Sequence, residues 1–162
     1  MKKKQLSFEY EVHDDINSLS SSDAQLVERA RLGLANSYAP YSEFPVSCAL
    51  ELDNGEIVVG TNQENAAYPS GLCAERVAIF YAKSQFPQSS VLKMAIVTGH
   101  QELDVPVAPC GACRQVLLEY QVNQENPMFL LLTARKGTVY TLSDIRGLLP
   151  LHFSKEDLKK PL

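Results

Sequence analysis

Three thiols and one carboxylate in this chain have types and spacings suited to hydrolysis at a metal. Cys73-Ala74-Glu75 and Pro109-Cys110-Gly111-Ala112-Cys113 offer three thiolates to one Zn²⁺, with a proton carrier two residues beyond the first thiol. A catalytic zinc keeps three protein ligands and leaves the fourth position to water, whereas a structural zinc closes all four. Cys110 and Cys113, three apart, share one side of a helix start, and Cys73 opens a second predicted helix. Helix N-termini carry partial positive charge and free N–H groups, which lower a thiol's pKa toward the thiolate that zinc binds. Two helices aimed at one metal would explain why the ligands lie so far apart in sequence.

Glu75 fits this arrangement on one condition. Residues two apart in a regular helix do not share a face, so Cys73 must sit at the irregular entrance of its helix. Arg76 could then donate to a ligand sulfur and offset the excess negative charge of three thiolates on a dication. Two rivals stand beside this reading. Cys110 and Cys113 could be a redox pair, which would leave Cys73 without a purpose. A closed zinc site with four cysteine ligands would need Cys48, which falls inside the apolar run 46–52, where a thiol behaves as a small hydrophobe.

The elements that must position these groups follow from periodicity and turn chemistry. Ser22, with Gln25 three residues on, predicts a capped helix whose Leu26, Val27, Ala30 and Leu34 share a face and which ends near Tyr38-Ala39-Pro40. Runs 46–52 and 56–61 flank Asp53-Asn54-Gly55 and read as a hairpin. Residues 73–82 predict a helix with Val77, Ala78 and Tyr81 inward, and 91–98 a central strand. Residues 110–122 predict a helix packed through Val116, Leu117 and Tyr120. Strands at 128–133 and 138–142 follow, then short helices at 144–149 and 154–159. Helices alternating with strands imply an α/β fold, a three-layer α-β-α sandwich around a mixed, mostly five-stranded sheet. Residues 1–20 are polar and without period, a loosely ordered arm; residues 21–162 form one domain.

Composition narrows the partners. The chain has 162 residues, 45% hydrophobic and 21% charged, with a formal net charge of −4. That balance argues against a broad nucleic-acid or anionic-membrane surface. No apolar run approaches a membrane span, and Lys2-Lys3-Lys4 is not followed by the apolar stretch of a secretory signal. A cytoplasmic protein is expected, in which clustered cysteines point to metal or catalysis more than to disulfides. His13, His100 and His152 have no motif around them and read as surface or loop residues.

These residues resemble the zinc-dependent cytidine deaminases, in particular their short, three-cysteine, tetrameric branch. The resemblance runs from about Tyr38 to Phe153 and rests on Tyr41-Ser42-Glu43-Phe44-Pro45-Val46, Asn62-Gln63-Glu64-Asn65-Ala66, Cys73-Ala74-Glu75-Arg76 and Pro109-Cys110-Gly111-Ala112-Cys113-Arg114-Gln115. It implies a zinc cofactor on Cys73, Cys110 and Cys113, with Glu75 as proton shuttle. It also implies that Phe44 packs on the pyrimidine, Asn62 and Glu64 hydrogen-bond the ribose hydroxyls, and Ala74 lies in the substrate site. The stretch 148–153 resembles the C-terminal segment that places an aromatic in a neighbouring subunit's pocket, which would make Phe153 a site residue supplied in trans within a homotetramer. Ser47-Cys48 departs from the small Gly-Ala pair common in the family.

The implied reaction is hydrolytic deamination of free cytidine, deoxycytidine or both to the uridine counterpart and ammonia, in pyrimidine salvage. A deaminase of another aminated nucleoside analogue or of a polynucleotide base is the alternative enzyme. The polynucleotide version would need a basic groove and stacking aromatics, which the net charge disfavours. A non-catalytic domain stabilised by a four-cysteine zinc is the alternative outside catalysis.

Overall fold

The computed structural model describes residues 1–100 and 102–158. Six strands form one sheet in the order β1-β6-β5-β4-β2-β3. They are β1 (Glu11–His13), β2 (Val46–Leu52), β3 (Ile57–Thr61), β4 (Val91–Thr98), β5 (Phe129–Thr133) and β6 (Val139–Leu142). The β4–β5 pair is parallel and the other four pairs are antiparallel.

The central strands are buried on both faces, which is why β4 reads as an apolar run interrupted by Lys93. Cys48, Leu50, Met94, Ile96, Leu130 and Leu132 face one layer of helices, α2 (Ala74–Gln85) and α3 (Gly111–Gln121). Ala49, Ala95, Val97 and Leu131, at the alternate positions, face α1 (Ser21–Gly33) through its Leu26, Val27 and Ala30. The result is the expected three-layer sandwich.

Several local expectations shift. The cap of α1 is Ser20, whose hydroxyl accepts the Asp23 N–H, so the helix begins before Ser22; such a cap is worth about 1 kcal/mol. Leu34 to Asn36 tighten into a 3₁₀ turn that ends the helical segment ahead of Pro40. Tyr81 is 57% exposed, because α2 packs through the small stripe Ala74, Ala78 and Ala82 together with Ile79. Residues 145–148 form a 3₁₀ turn capped by Asp144, and α4 spans Lys155–Leu158; Lys159, included in the last expected helix, lies outside the described residues.

The main correction concerns the first 20 residues and the strand count. Glu11 pairs with Thr141, Val12 with Tyr140 and His13 with Val139, which adds a sixth strand at the β6 edge. The Thr141 hydroxyl donates to the Glu11 carboxylate at 3.2 Å, and His13 Nε2 lies 3.1 Å from the same hydroxyl oxygen. Tyr10 and Tyr140 pack ring on ring at 5.2 Å. A three-residue strand has no period of its own, and these contacts with distant residues create it.

One glycine sets how closely α2 approaches the sheet. A Cβ on Gly60 of β3 would lie 2.4 Å from the Ala78 nitrogen and 2.8 Å from the Ala74 oxygen. Only a residue without Cβ lets the helix backbone rest on β3 there, and the first turn of α2 is where the chemistry sits.

Candidate metal centre

Cys73 and Cys110 are the N-caps of α2 and α3, both in extended backbone conformation, with φ/ψ of −71°/155° and −66°/164°. Cys73 therefore precedes the helix, and Glu75 occupies its first turn, which meets the condition for thiol and carboxylate to share one pocket. Cys113 sits in the first turn of α3. The three sulfurs lie within 4.8 Å of one another, and among the described residues they are the group of side chains that could hold a metal.

Their spacing fits zinc. Tetrahedral Zn–S bonds of about 2.3 Å place sulfurs about 3.8 Å apart, and Cys73 Sγ and Cys110 Sγ are 3.8 Å apart. Cys48 is fully buried in the core beneath and takes no part in the cluster. Among the described residues no histidine joins it either. The protein thus presents three ligands, and the closed four-cysteine reading falls away.

Charge in the thiol cluster settles on Cys73. A hydrogen bond from Cys113, followed by those from Arg76 and Cys110, overcomes burial and lowers its pKa to about 5. Cys113 moves the opposite way, because it donates to Cys73 and is buried. Arg76 Nη2 lies 3.8 Å from Cys73 Sγ, so the cation is where the excess thiolate charge requires it. Glu75 is 4% exposed. Burial holds its carboxyl above the ordinary carboxylate range and the Cys73 charge adds to this, against hydrogen bonds from its own N–H and Cys113 and the charge of Arg76. A carboxyl placed this way, beside the ligand thiols, is positioned to take and return a proton.

Beside the thiols opens a cleft of about 360 Å³, lined by Phe44, Val46, Asn62, Glu64, Glu75 and Cys110 together with the β4 end. Two of the residues expected at a ribose are already engaged. Asn62 accepts the Val46 N–H at 2.8 Å and donates to the Phe44 carbonyl at 2.9 Å, so its amide splints the segment that leads from Phe44 into β2. Glu64 accepts from the Ser42 hydroxyl, the Tyr41 N–H at 3.0 Å and the Ser42 N–H at 3.3 Å. These bonds hold its carboxyl below the usual range, the Ser42 hydroxyl foremost. Ala74, the first residue of α2, is fully buried and does not line the cleft. Phe153 is 58% exposed and lies outside its own chain's cleft.

Three residues at this site had no role assigned from sequence. Ser42 ties Glu64 to the loop before Phe44. Arg114 donates to the Pro109 carbonyl at 2.8 Å and to the Leu148 carbonyl at 3.0 Å, bracing the turn that presents Cys110. Gln115 donates to the Phe153 carbonyl at 2.9 Å and fixes the tail's departure. Arg114 and Gln115 follow Cys113 directly, and that adjacency was the available signal. His152 Nδ1 lies 2.8 Å from the Leu149 carbonyl, whereas His100 stacks on Phe44 and is no plain loop histidine.

Comparison with known proteins agrees with this geometry. The sequence profile of the cytidine and deoxycytidylate deaminase zinc-binding region matches residues 20–126. The cytidine deaminase of Sporosarcina psychrophila is 41% identical over 134 residues, which cover 83% of this chain and 93% of that protein. The crystal structure of cytidine deaminase from Burkholderia pseudomallei superposes with a TM-score of 0.71 at 35% identity, covering 83% of this chain and 100% of that one. The cytidine deaminase structure from Mycobacterium tuberculosis gives 0.65 at 30% identity, covering 83% and 98%.

Proposed function

The chain belongs to the zinc-dependent cytidine deaminases, and from that premise we propose how its own residues remove the C4 amine of a free pyrimidine nucleoside. The observation that carries the reading is the placement of Glu75, buried in the first turn of α2 beside the ligand thiols. Zinc on Cys73, Cys110 and Cys113 supplies the positive charge that makes an attacking water acidic near neutral pH. Glu75 takes that water's proton as its oxygen bonds to C4. The same carboxyl delivers that proton to ring N3, then takes the remaining proton of the hydroxyl now on C4 and passes it to the amine as the C4–N bond breaks, so that water and cytidine become uridine and ammonia.

Around this step the other residues bind and orient. Phe44 offers its ring to the pyrimidine. Asn62 and Glu64 reach the sugar, and their bonds to residues 41–46 support the reading that they first shape that wall. Arg76 offsets the thiolate charge so that the metal keeps its acidifying strength. Exposure of Phe153, with its carbonyl anchored by Gln115, supports insertion into a neighbouring subunit's cleft and hence a homotetramer with shared sites. Free nucleoside is favoured over a polynucleotide by the net charge of −4. Among the described residues no helix is long and apolar enough to cross a membrane.

The test is the ultraviolet absorbance of cytidine on addition of purified, zinc-loaded protein. The reading expects conversion to the uridine spectrum with one ammonia released per turnover. Zinc bound with an unchanged spectrum would overturn it.

A further inference from the structure

We propose that His100 is a positioning residue that holds Phe44 at its working angle in the cleft and thereby sets nucleoside affinity. The consequence for affinity rests on the nucleoside reading above; the positioning itself does not.

The two rings stack with centroids 5.6 Å apart and planes 29° from parallel. Phe44 lines the cleft with Glu75 and Cys110, and His100 stacks on that ring without lining the cleft itself. The backbone makes this pairing obligatory. Gly99 donates to the Pro45 carbonyl at 2.8 Å. A Cβ at Gly99 would lie 2.9 Å from Pro45 Cγ and 3.1 Å from Leu34. The chain after β4 therefore presses against the chain before β2, and residues 100 and 44 face each other. The imidazole is itself oriented, because its Nδ1 accepts the Glu102 N–H at 3.4 Å. With Nδ1 accepting, the neutral ring carries its proton on Nε2.

Asn62 already splints the backbone at Phe44, but a splinted backbone leaves χ1 and χ2 free. A second ring removes that freedom before a ligand arrives, so less ordering remains to be done on binding. His100 touches neither the thiols nor Glu75 in any described contact, so the effect should fall on KM and spare kcat.

The experiment compares H100A, H100F, F44A and the F44A/H100A double variant in the zinc-loaded protein, with cytidine as substrate. H100A should raise KM about threefold to tenfold, the weight of one aromatic pair, with kcat within about twofold. H100F should restore KM, and H100A should add nothing in the F44A background. An unchanged KM in H100A, no rescue by H100F, or the same penalty with and without Phe44 overturns the proposal. A readout independent of turnover is the side-chain NMR of Phe44, expected as one rotamer in the parent and averaged in H100A. An unaltered rotamer in H100A also overturns it, whatever the protein does to cytidine.

Discussion

Arg76 reaches back one helical turn to within 3.8 Å of the Cys73 sulfur. Groups that hydrogen-bond metal ligands change affinity or activity about 10- to 100-fold when removed. Replacing Arg76 with Gln should therefore lower kcat/KM by about one to two orders of magnitude and speed zinc loss to a chelator. Lys should recover part of the effect as a point charge without the guanidinium's fork. Unchanged chelation kinetics in R76Q would show that the cation does not serve the thiolates.

Glu75→Gln keeps size and shape but cannot carry a proton. Turnover should fall by about 10²- to 10⁴-fold, while metal analysis still finds one zinc per chain. A variant that turns over cytidine at near the parent rate would remove Glu75 from the mechanism.

Much of this site was legible because its carriers are local. The spacing of Cys110 and Cys113 places both thiols at one helix start, and the apolar run 91–98 recurs unaltered as β4. What escaped the sequence depends on partners far along the chain. β1 exists through pairing with residues 139–141. The splint made by Asn62 requires β2 to lie beside it. Tyr81 shares the expected inward face with Val77 and Ala78, but a stripe of alanines lets α2 come close enough that the tyrosine is left outside.

Gly60→Ala tests the close approach of α2 to β3. The added Cβ would meet the Ala78 nitrogen at 2.4 Å, and overpacking of this kind costs about 1–3 kcal/mol. Thermal unfolding should drop by roughly 2 to 12 °C, and the displaced helix start should weaken zinc retention although no ligand was changed. A parent-like melting temperature and zinc content would count against the packing argument.

Glu64 provides a pH prediction with a definite sign. Its folded pKa is depressed, chiefly by the Ser42 hydroxyl. Its stabilisation of the 41–44 loop is therefore full above the ordinary glutamate value of about 4.3 and disappears as pH falls through the lower folded value. The amide proton shifts of Tyr41 and Ser42 should stay level down to about pH 5 and then move with a midpoint under about 4.3. A midpoint above that value contradicts the hydrogen-bonding scheme, and E64Q should abolish the transition.

The proposal that Phe153 is supplied in trans makes a complementation experiment decisive. E75Q and F153A proteins, each impaired alone, should regain activity when unfolded together and reassembled. Some hybrid sites then combine an intact Glu75 with a neighbour's intact Phe153. A mixture no more active than its parts would place Phe153 within its own subunit or outside the site.

The pairing of Glu11–His13 along β6 also bears on how the molecule behaves in a crowd. An unpaired strand edge offers a row of N–H and C=O groups onto which another chain can add, the usual beginning of sheet-to-sheet aggregation. Here the chain's own opening residues occupy that row on β6 and pass the edge to β1, with Tyr10 laid against Tyr140 as a clasp. The segment stands on the opposite side of the sheet from the strand that follows Phe44. Its contribution is therefore colloidal: the edge it leaves is only three residues long, a poor template for a second sheet.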